Sequence, residues 1–79
     1  MVTRAALRSA LSLRMDVDDI RDCILALEMS HFDKTMEAEK APGLWQDVYR
    51  VRFLGVSIYL KLQIVQDGTV RVISFKQGR

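Results

Sequence analysis

The 79 residues include one cysteine, one histidine, one proline and four glycines. A lone cysteine cannot close an internal disulfide, and one Cys with one His falls short of the ligand set of a structural zinc site. No apolar run approaches the roughly 18 residues of a membrane span, and the N-terminus lacks the apolar core of a secretory signal. Paired carboxylates, a Gly-rich phosphate loop and a Ser-His-Asp set are also missing. These absences point to a single domain over residues 1–79, cytoplasmic, with no metal and no cofactor. A chain this short buries only about 60% of the surface exposed when unfolded, so an active site belongs on an open sheet face or in a shallow groove.

Residues 1–15 carry Arg4, Arg8 and Arg14 with serines and no acid, a composition shared with organellar transit peptides. The reading adopted is a short helix capped by Thr3, with Leu7, Ala10 and Leu11 on one face.

The formal net charge of +2 conceals an asymmetry. Residues 1–40 hold six basic and eight acidic side chains, and residues 41–79 hold six basic and two acidic. Positive charge gathered in the C-terminal half attracts polyanions, nucleic acid first among them, although a solvated surface that keeps the protein soluble has the same composition.

From Asp16 to Met29, Val17, Ile20, Ile24 and Leu27 recur at helical spacing, with Asp16 as N-cap and Asp18 and Asp19 in the first turn. Cys23 lies on that stripe and reads as a small buried hydrophobe rather than a nucleophile. Ser30 with Asp33 could form a capping box, while 32–36 alternates as a short strand; His31, alone, has a surface or turn role. Ala41-Pro42-Gly43 ends that segment. Beyond it the period becomes two, and turns at Leu54-Gly55 and Asp67-Gly68 divide an antiparallel meander into strands of about 46–53, 56–65 and 70–76. The fold class is α+β, with N-terminal helices packed on one face of a small antiparallel sheet.

Hairpin register identifies the other face. A Leu54-Gly55 turn sets Val51 opposite Ile58, Tyr49 opposite Leu60 and Arg50 opposite Tyr59. A two-residue Asp67-Gly68 turn sets Leu60 opposite Phe75, Leu62 opposite Ile73, Gln63 opposite Val72, Lys61 opposite Ser74 and Tyr59 opposite Lys76. Tyr49, Val51, Ile58, Leu60, Leu62, Ile73 and Phe75 are then expected to pack on the Asp16 helix. Arg50, Tyr59 and Lys76 form one exposed row, with Gln46 and Lys61 on the same face. Such a row can be a cross-strand group that protects a sheet. It can also be a site for phosphodiester chemistry, where the cations hold phosphate, the tyrosine exchanges a proton and its ring stacks on a base. Spacing alone leaves RNA binder and ribonuclease both open.

The segments Trp45-Gln46-Asp47-Val48-Tyr49-Arg50, Ile58-Tyr59-Leu60-Lys61-Leu62 and Val72-Ile73-Ser74-Phe75-Lys76 resemble the MqsR family of bacterial toxins. Phe32-Asp33-Lys34-Thr35-Met36 is similar to that family's Phe-Tyr-Lys-Ser-Met segment. The resemblance covers most of 16–77. It implies a RelE-like fold and an mRNA endoribonuclease, active without ribosomes or metal at GCU-type sites and restrained by a cognate antitoxin protein. It also implies catalytic residues at Lys34, Gln46, Tyr59 and Lys76. Arg50 and Lys61 are added as RNA-binding residues from register. Asp33 stands where the family has tyrosine and is expected to weaken the hold of Lys34 on phosphate. Family members carry a further N-terminal helix ahead of the matched segment, so less of the sheet is expected to be covered here. A non-catalytic relative that binds RNA or antitoxin is the alternative reading.

Overall fold

The computed structural model describes residues 1–65 and 67–78. Helices α1 (Arg4–Ser12) and α2 (Val17–Leu25) precede a short 3₁₀ turn (Met29–His31) and strands β1 (Phe32–Glu37), β2 (Trp45–Phe53), β3 (Val56–Ile64) and β4 (Val70–Gln77). The strands form one antiparallel sheet in the order β1-β2-β3-β4. This is the expected α+β arrangement, with β1 supplying the edge that spacing alone left unassigned. Among the described residues no helix is long and apolar enough to cross a membrane.

Local chemistry sets the helix ends. Thr3 Oγ1 accepts from the Ala6 N–H at 3.2 Å and caps α1. At the other end Arg14 takes a φ of 62°, its N–H bonding to the Leu11 carbonyl while the Met15 N–H reaches the Ala10 carbonyl. That closure turns Met15 into the core and brings Asp16 directly to the start of α2. Asp16 and Asp19 there satisfy each other's backbone N–H groups, at 3.0 and 2.9 Å.

The core joins Ala6, Ala10, Ile20 and Cys23 of the helices to Val51, Ile58, Leu60, Leu62, Val72 and Phe75 of the sheet. Fully burying Ile20, Ile58, Leu60 or Phe75 contributes on the order of 1.5–3 kcal/mol each. Small Ala6 and Ala10 let α1 lie close over β4, so the helix that approaches the sheet most closely is α1 and not the expected Asp16 helix, which adds Ile20 and Cys23 to the core. Leu11 and Val17, placed on buried stripes by periodicity, are 57% and 48% exposed. In α1 the closely packed positions belong to alanines, and in α2 the buried positions are Ile20 and Cys23 while Val17 in its first turn is exposed. Helix α2 stops at Leu25, capped by Ala26, short of the Met29 that periodicity suggested.

In place of a Ser30–Asp33 capping box, His31 Nδ1 accepts from the Glu28 N–H at 2.9 Å and closes the 3₁₀ turn, the turn role expected of this histidine. The Leu54-Gly55 turn has φ of 51° and 78°, both positive, as a type I′ hairpin requires. At the other connection the Val65 N–H bonds to the Thr69 carbonyl and the Gly68 N–H to the Val65 carbonyl, both at 2.9 Å. This connection is longer than the expected Asp67-Gly68 pair. Leu62 therefore faces Val72, and Gln63 faces Arg71. A bulge in β4 then restores the expected pairs of Lys61 with Ser74, Leu60 with Phe75 and Tyr59 with Lys76. Ile73, at the bulge, is half-buried and Val72 takes its place in the core.

Residues 1–3 run along β4 in a parallel bridge between Val2 and Val72. Thr3 N–H bonds to the Val72 carbonyl at 3.1 Å and Val72 N–H to the Met1 carbonyl at 2.8 Å. That edge is partly covered, whereas β1 presents its outer backbone to solvent.

Candidate nucleic-acid interface

The sheet face away from the helices carries three rows of paired residues. Arg50, Tyr59 and Lys76 form the first across β2, β3 and β4; Lys34, Val48, Lys61 and Ser74 form the second across all four strands. Met36, Gln46, Gln63 and Arg71 form the third. Successive rows lie about 7 Å apart along the strands, since residues two apart share a face.

The first row is built around the Tyr59 ring. Arg50 Cζ lies 5.1 Å from its centroid, Lys76 Nζ 5.2 Å and Lys61 Nζ 5.8 Å, all within cation–π range. Tyr59 is half-buried, while Arg50 and Lys76 beside it are exposed. Gly78 continues β4 beside it, donating its N–H to the Ser57 carbonyl at 2.8 Å. A methyl group there would touch the Tyr59 backbone at 3.4 Å.

Strand β1 completes the site through a bulge between Phe32 and Lys34. Phe32 packs edge-on against Tyr49 on the helix side, with ring centroids 5.6 Å apart. The extra residue lets Asp33 and Lys34 both serve the opposite face: Asp33 Oδ2 accepts from Arg50 Nε at 3.0 Å, and Lys34 stands opposite Val48. Asp33 is thus engaged by Arg50. The periodicity of 32–36 gave no sign of this pairing, because the bulge breaks the alternation.

Val48 is fully buried although it faces away from the main core. It sits between Lys34 and Lys61, whose aliphatic stems can cover it while their ammonium groups stay in solvent. Among the described residues, Lys34, Lys61, Arg71 and Lys76 have no carboxylate within ion-pair distance. Lys34, Gln46, Tyr59 and Lys76 therefore share one face with Arg50 and Lys61. The face joins a half-buried tyrosine, a carboxamide and cations without a carboxylate partner, a set able to hold a phosphodiester and stabilise charge developing on it.

Gln63 and Arg71 were not singled out as site residues in sequence. Register put Gln63 on this face but opposite Val72, and only the longer connection between β3 and β4 brings Arg71 beside it. Among the described residues no group of three His, Cys, Asp or Glu could hold a metal ion.

The family model described as "Motility quorum-sensing regulator, toxin of MqsA" matches residues 1–77. The chain is similar to "mRNA interferase toxin MqsR" of Escherichia coli (strain K12), 39% identical over 75 residues that cover 95% of this chain and 74% of that protein. With the match extending over both helices and all four strands, this chain belongs to the MqsR toxin family.

Proposed function

We propose that this protein is an mRNA endoribonuclease toxin, restrained by a cognate antitoxin protein, that cuts RNA on the face bearing Arg50, Tyr59 and Lys76. The observation that carries the reading is Tyr59 held in one row between Arg50 and Lys76, with Lys61 also within 6 Å of its ring. Family membership supports the same reading, since the similar Escherichia coli protein is named an mRNA interferase.

In the proposed reaction the ribose 2′-oxygen bonds to the adjacent phosphorus while the bond to the 5′-oxygen breaks. A 2′,3′-cyclic phosphate and a free 5′-hydroxyl result. The proton leaving the 2′-hydroxyl and the one gained by the 5′-oxygen are relayed with help from Tyr59. Lys76 and Lys34 stabilise the added negative charge of the phosphorane, and Gln46 orients the RNA. Arg50 and Lys61 hold neighbouring phosphates, a contribution that weakens as salt rises. In this reading the reaction needs neither ribosome nor metal and cuts at GCU-type sites.

The test is to incubate the purified protein with a defined mRNA in EDTA, without ribosomes, and to map the products by primer extension beside Lys76→Ala. Discrete cuts that vanish in the variant, with GCU-type sites among them, are expected. A folded protein that binds RNA in a salt-dependent manner yet leaves it intact would replace this reading with a non-catalytic, RNA-binding one.

A further inference from the structure

Beyond the Tyr59 row, the same face runs into a cavity of about 450 Å³ under the 38–44 connection between β1 and β2. Gln46, Gln63, Lys61 and Arg71 line it from the sheet, and Met36 and Leu44 supply apolar surface. Gln46 thus belongs both to the proposed catalytic face and to this cavity. The connection that walls it is held in shape: Glu37 Oε2 accepts from the Gly43 N–H at 2.9 Å, and the Ala38 N–H reaches the Leu44 carbonyl at 2.9 Å.

Gln63 is the unusual residue there. It is 5% exposed, the one polar residue counted among the buried set, yet its carboxamide makes no side-chain hydrogen bond among the described residues. Among the described residues no fully enclosed side-chain polar atom lacks a partner, so the free amide edge opens into the cavity. An amide edge held there by a buried side chain is already placed to exchange its hydration for hydrogen bonds to a ligand.

We propose that this cavity is a base-binding subsite and that Gln63, with Arg71, selects the nucleobase of a nucleotide neighbouring the cleaved bond; the inference rests on the ribonuclease reading above. A carboxamide offers a donor and an acceptor side by side, the pattern that matches the polar edge of a base. Arg71 adds a planar cation that can stack on a base or hold its phosphate, and Met36 and Leu44 supply apolar contact for the base's faces. Lys40, Lys61 and Arg71 in the lining are set against Glu37 and Glu39, so most of the cavity's positive charge is offset. That balance suits a neutral base better than a bare phosphate. Tyr59 and Gln63 lie four positions apart along β3, about 13 Å, which an extended single strand spans between the reacting phosphate and a nearby base.

Base selection is measured by fluorescence anisotropy with short single-stranded RNAs that differ at one position, on the full chain carrying Lys76→Ala to prevent cutting. Gln63→Leu and Arg71→Ala are compared with it, each checked for folding by circular dichroism. At one position near the cleaved bond, affinities for the best and worst base should differ by about tenfold or more, as a well-matched pair of hydrogen bonds provides. Gln63→Leu should compress that spread to under about threefold and leave the weakest affinity nearly unchanged. Arg71→Ala should weaken binding of every RNA while keeping the preferred base. Equal affinities for all bases, or a spread unaltered by Gln63→Leu, would overturn the subsite. Cleavage maps of the Gln63→Leu chain with Lys76 intact should show cuts at additional sequences. If the unaltered chain cuts nothing, the ribonuclease reading fails, and the binding series still decides whether the cavity reads a base.

Discussion

Asp33 Oδ2 accepts a hydrogen bond from Arg50 Nε at 3.0 Å, and the same guanidinium carries its Cζ 5.1 Å from the Tyr59 centroid. Besides standing next to Lys34, whose hold on phosphate it is expected to weaken, the carboxylate anchors Arg50, holding that side chain beside the ring and occupying one edge of its fork. Both partners are well exposed, so the pair adds little to stability. Its consequence lies in how many cations a phosphate chain can engage. Asp33→Asn should tighten RNA binding and steepen the plot of log affinity against log salt by about 0.7, the increment for one further phosphate on a single strand. Anisotropy titrations over a salt series measure this, and an unchanged slope would mean that Arg50 does not reach the RNA.

Tyr59→Phe and Lys76→Ala separate the roles assigned to the first row. Either variant should lower cleavage by about a hundredfold or more if the phenol moves a proton and the ammonium stabilises developing charge. Binding should be affected unequally: Tyr59→Phe retains the stacking surface and should hold RNA nearly as well as the parent, whereas Tyr59→Ala should bind more weakly. Single-turnover rates at saturating protein, set beside equilibrium affinities, distinguish loss of chemistry from loss of binding. Full activity in Tyr59→Phe would remove the phenol from proton transfer.

Burial raises the Cys23 thiol from 9.0 to about 11. The folded state therefore keeps a proton that the unfolded chain releases earlier. Stability should be undiminished below pH 9 and should fall as pH rises from there towards 11, because the unfolded state alone gains from ionisation in that window. Urea melts at a series of alkaline pH values check the trend, with Cys23→Ala as a reference in which this component disappears. The same burial predicts that iodoacetamide at pH 8 labels Cys23 only after denaturant is added.

Arg14 and Leu54 occupy left-handed backbone, with φ of 62° and 51°. Side chains at such positions cost on the order of 1 kcal/mol relative to glycine. Arg14→Gly and Leu54→Asn should each raise the midpoint of thermal unfolding by a few degrees, about 4–8 °C for each 1 kcal/mol in a domain this small. Leu54 is 65% exposed, so its replacement removes little packing. A lowered midpoint for Leu54→Asn would show that the leucine makes contacts that outweigh its backbone strain.

The chemistry visible in short stretches of chain carried over into the fold. Thr3 and Asp16 cap their helices because a side-chain oxygen satisfies N–H groups only a few residues away. The Leu54-Gly55 turn sets its register directly, and Arg50 opposite Tyr59 follows from counting. Lys76 opposite Tyr59 was also expected, although for an incomplete reason: the longer connection between β3 and β4 shifts the ladder and the β4 bulge shifts it back. The two displacements cancel at the row that carries the proposed chemistry.

What the sequence by itself determined were the features governed by neighbours along the chain: helix starts, strand alternation, and the face that carries Gln46, Arg50, Tyr59, Lys61 and Lys76. Tertiary structure decided how long α2 could remain helical, that Ala6 and Ala10 rather than Leu11 face β4, and that Val72 replaces Ile73 in the core. It also decided that Asp33 pairs with Arg50 and that Gln63 opens into a cavity beside Arg71. These outcomes depend on bulges and on surfaces brought together from distant parts of the chain. A bulge inserts a residue without altering composition, so alternation cannot reveal it, and a cavity exists only once a loop folds over a sheet.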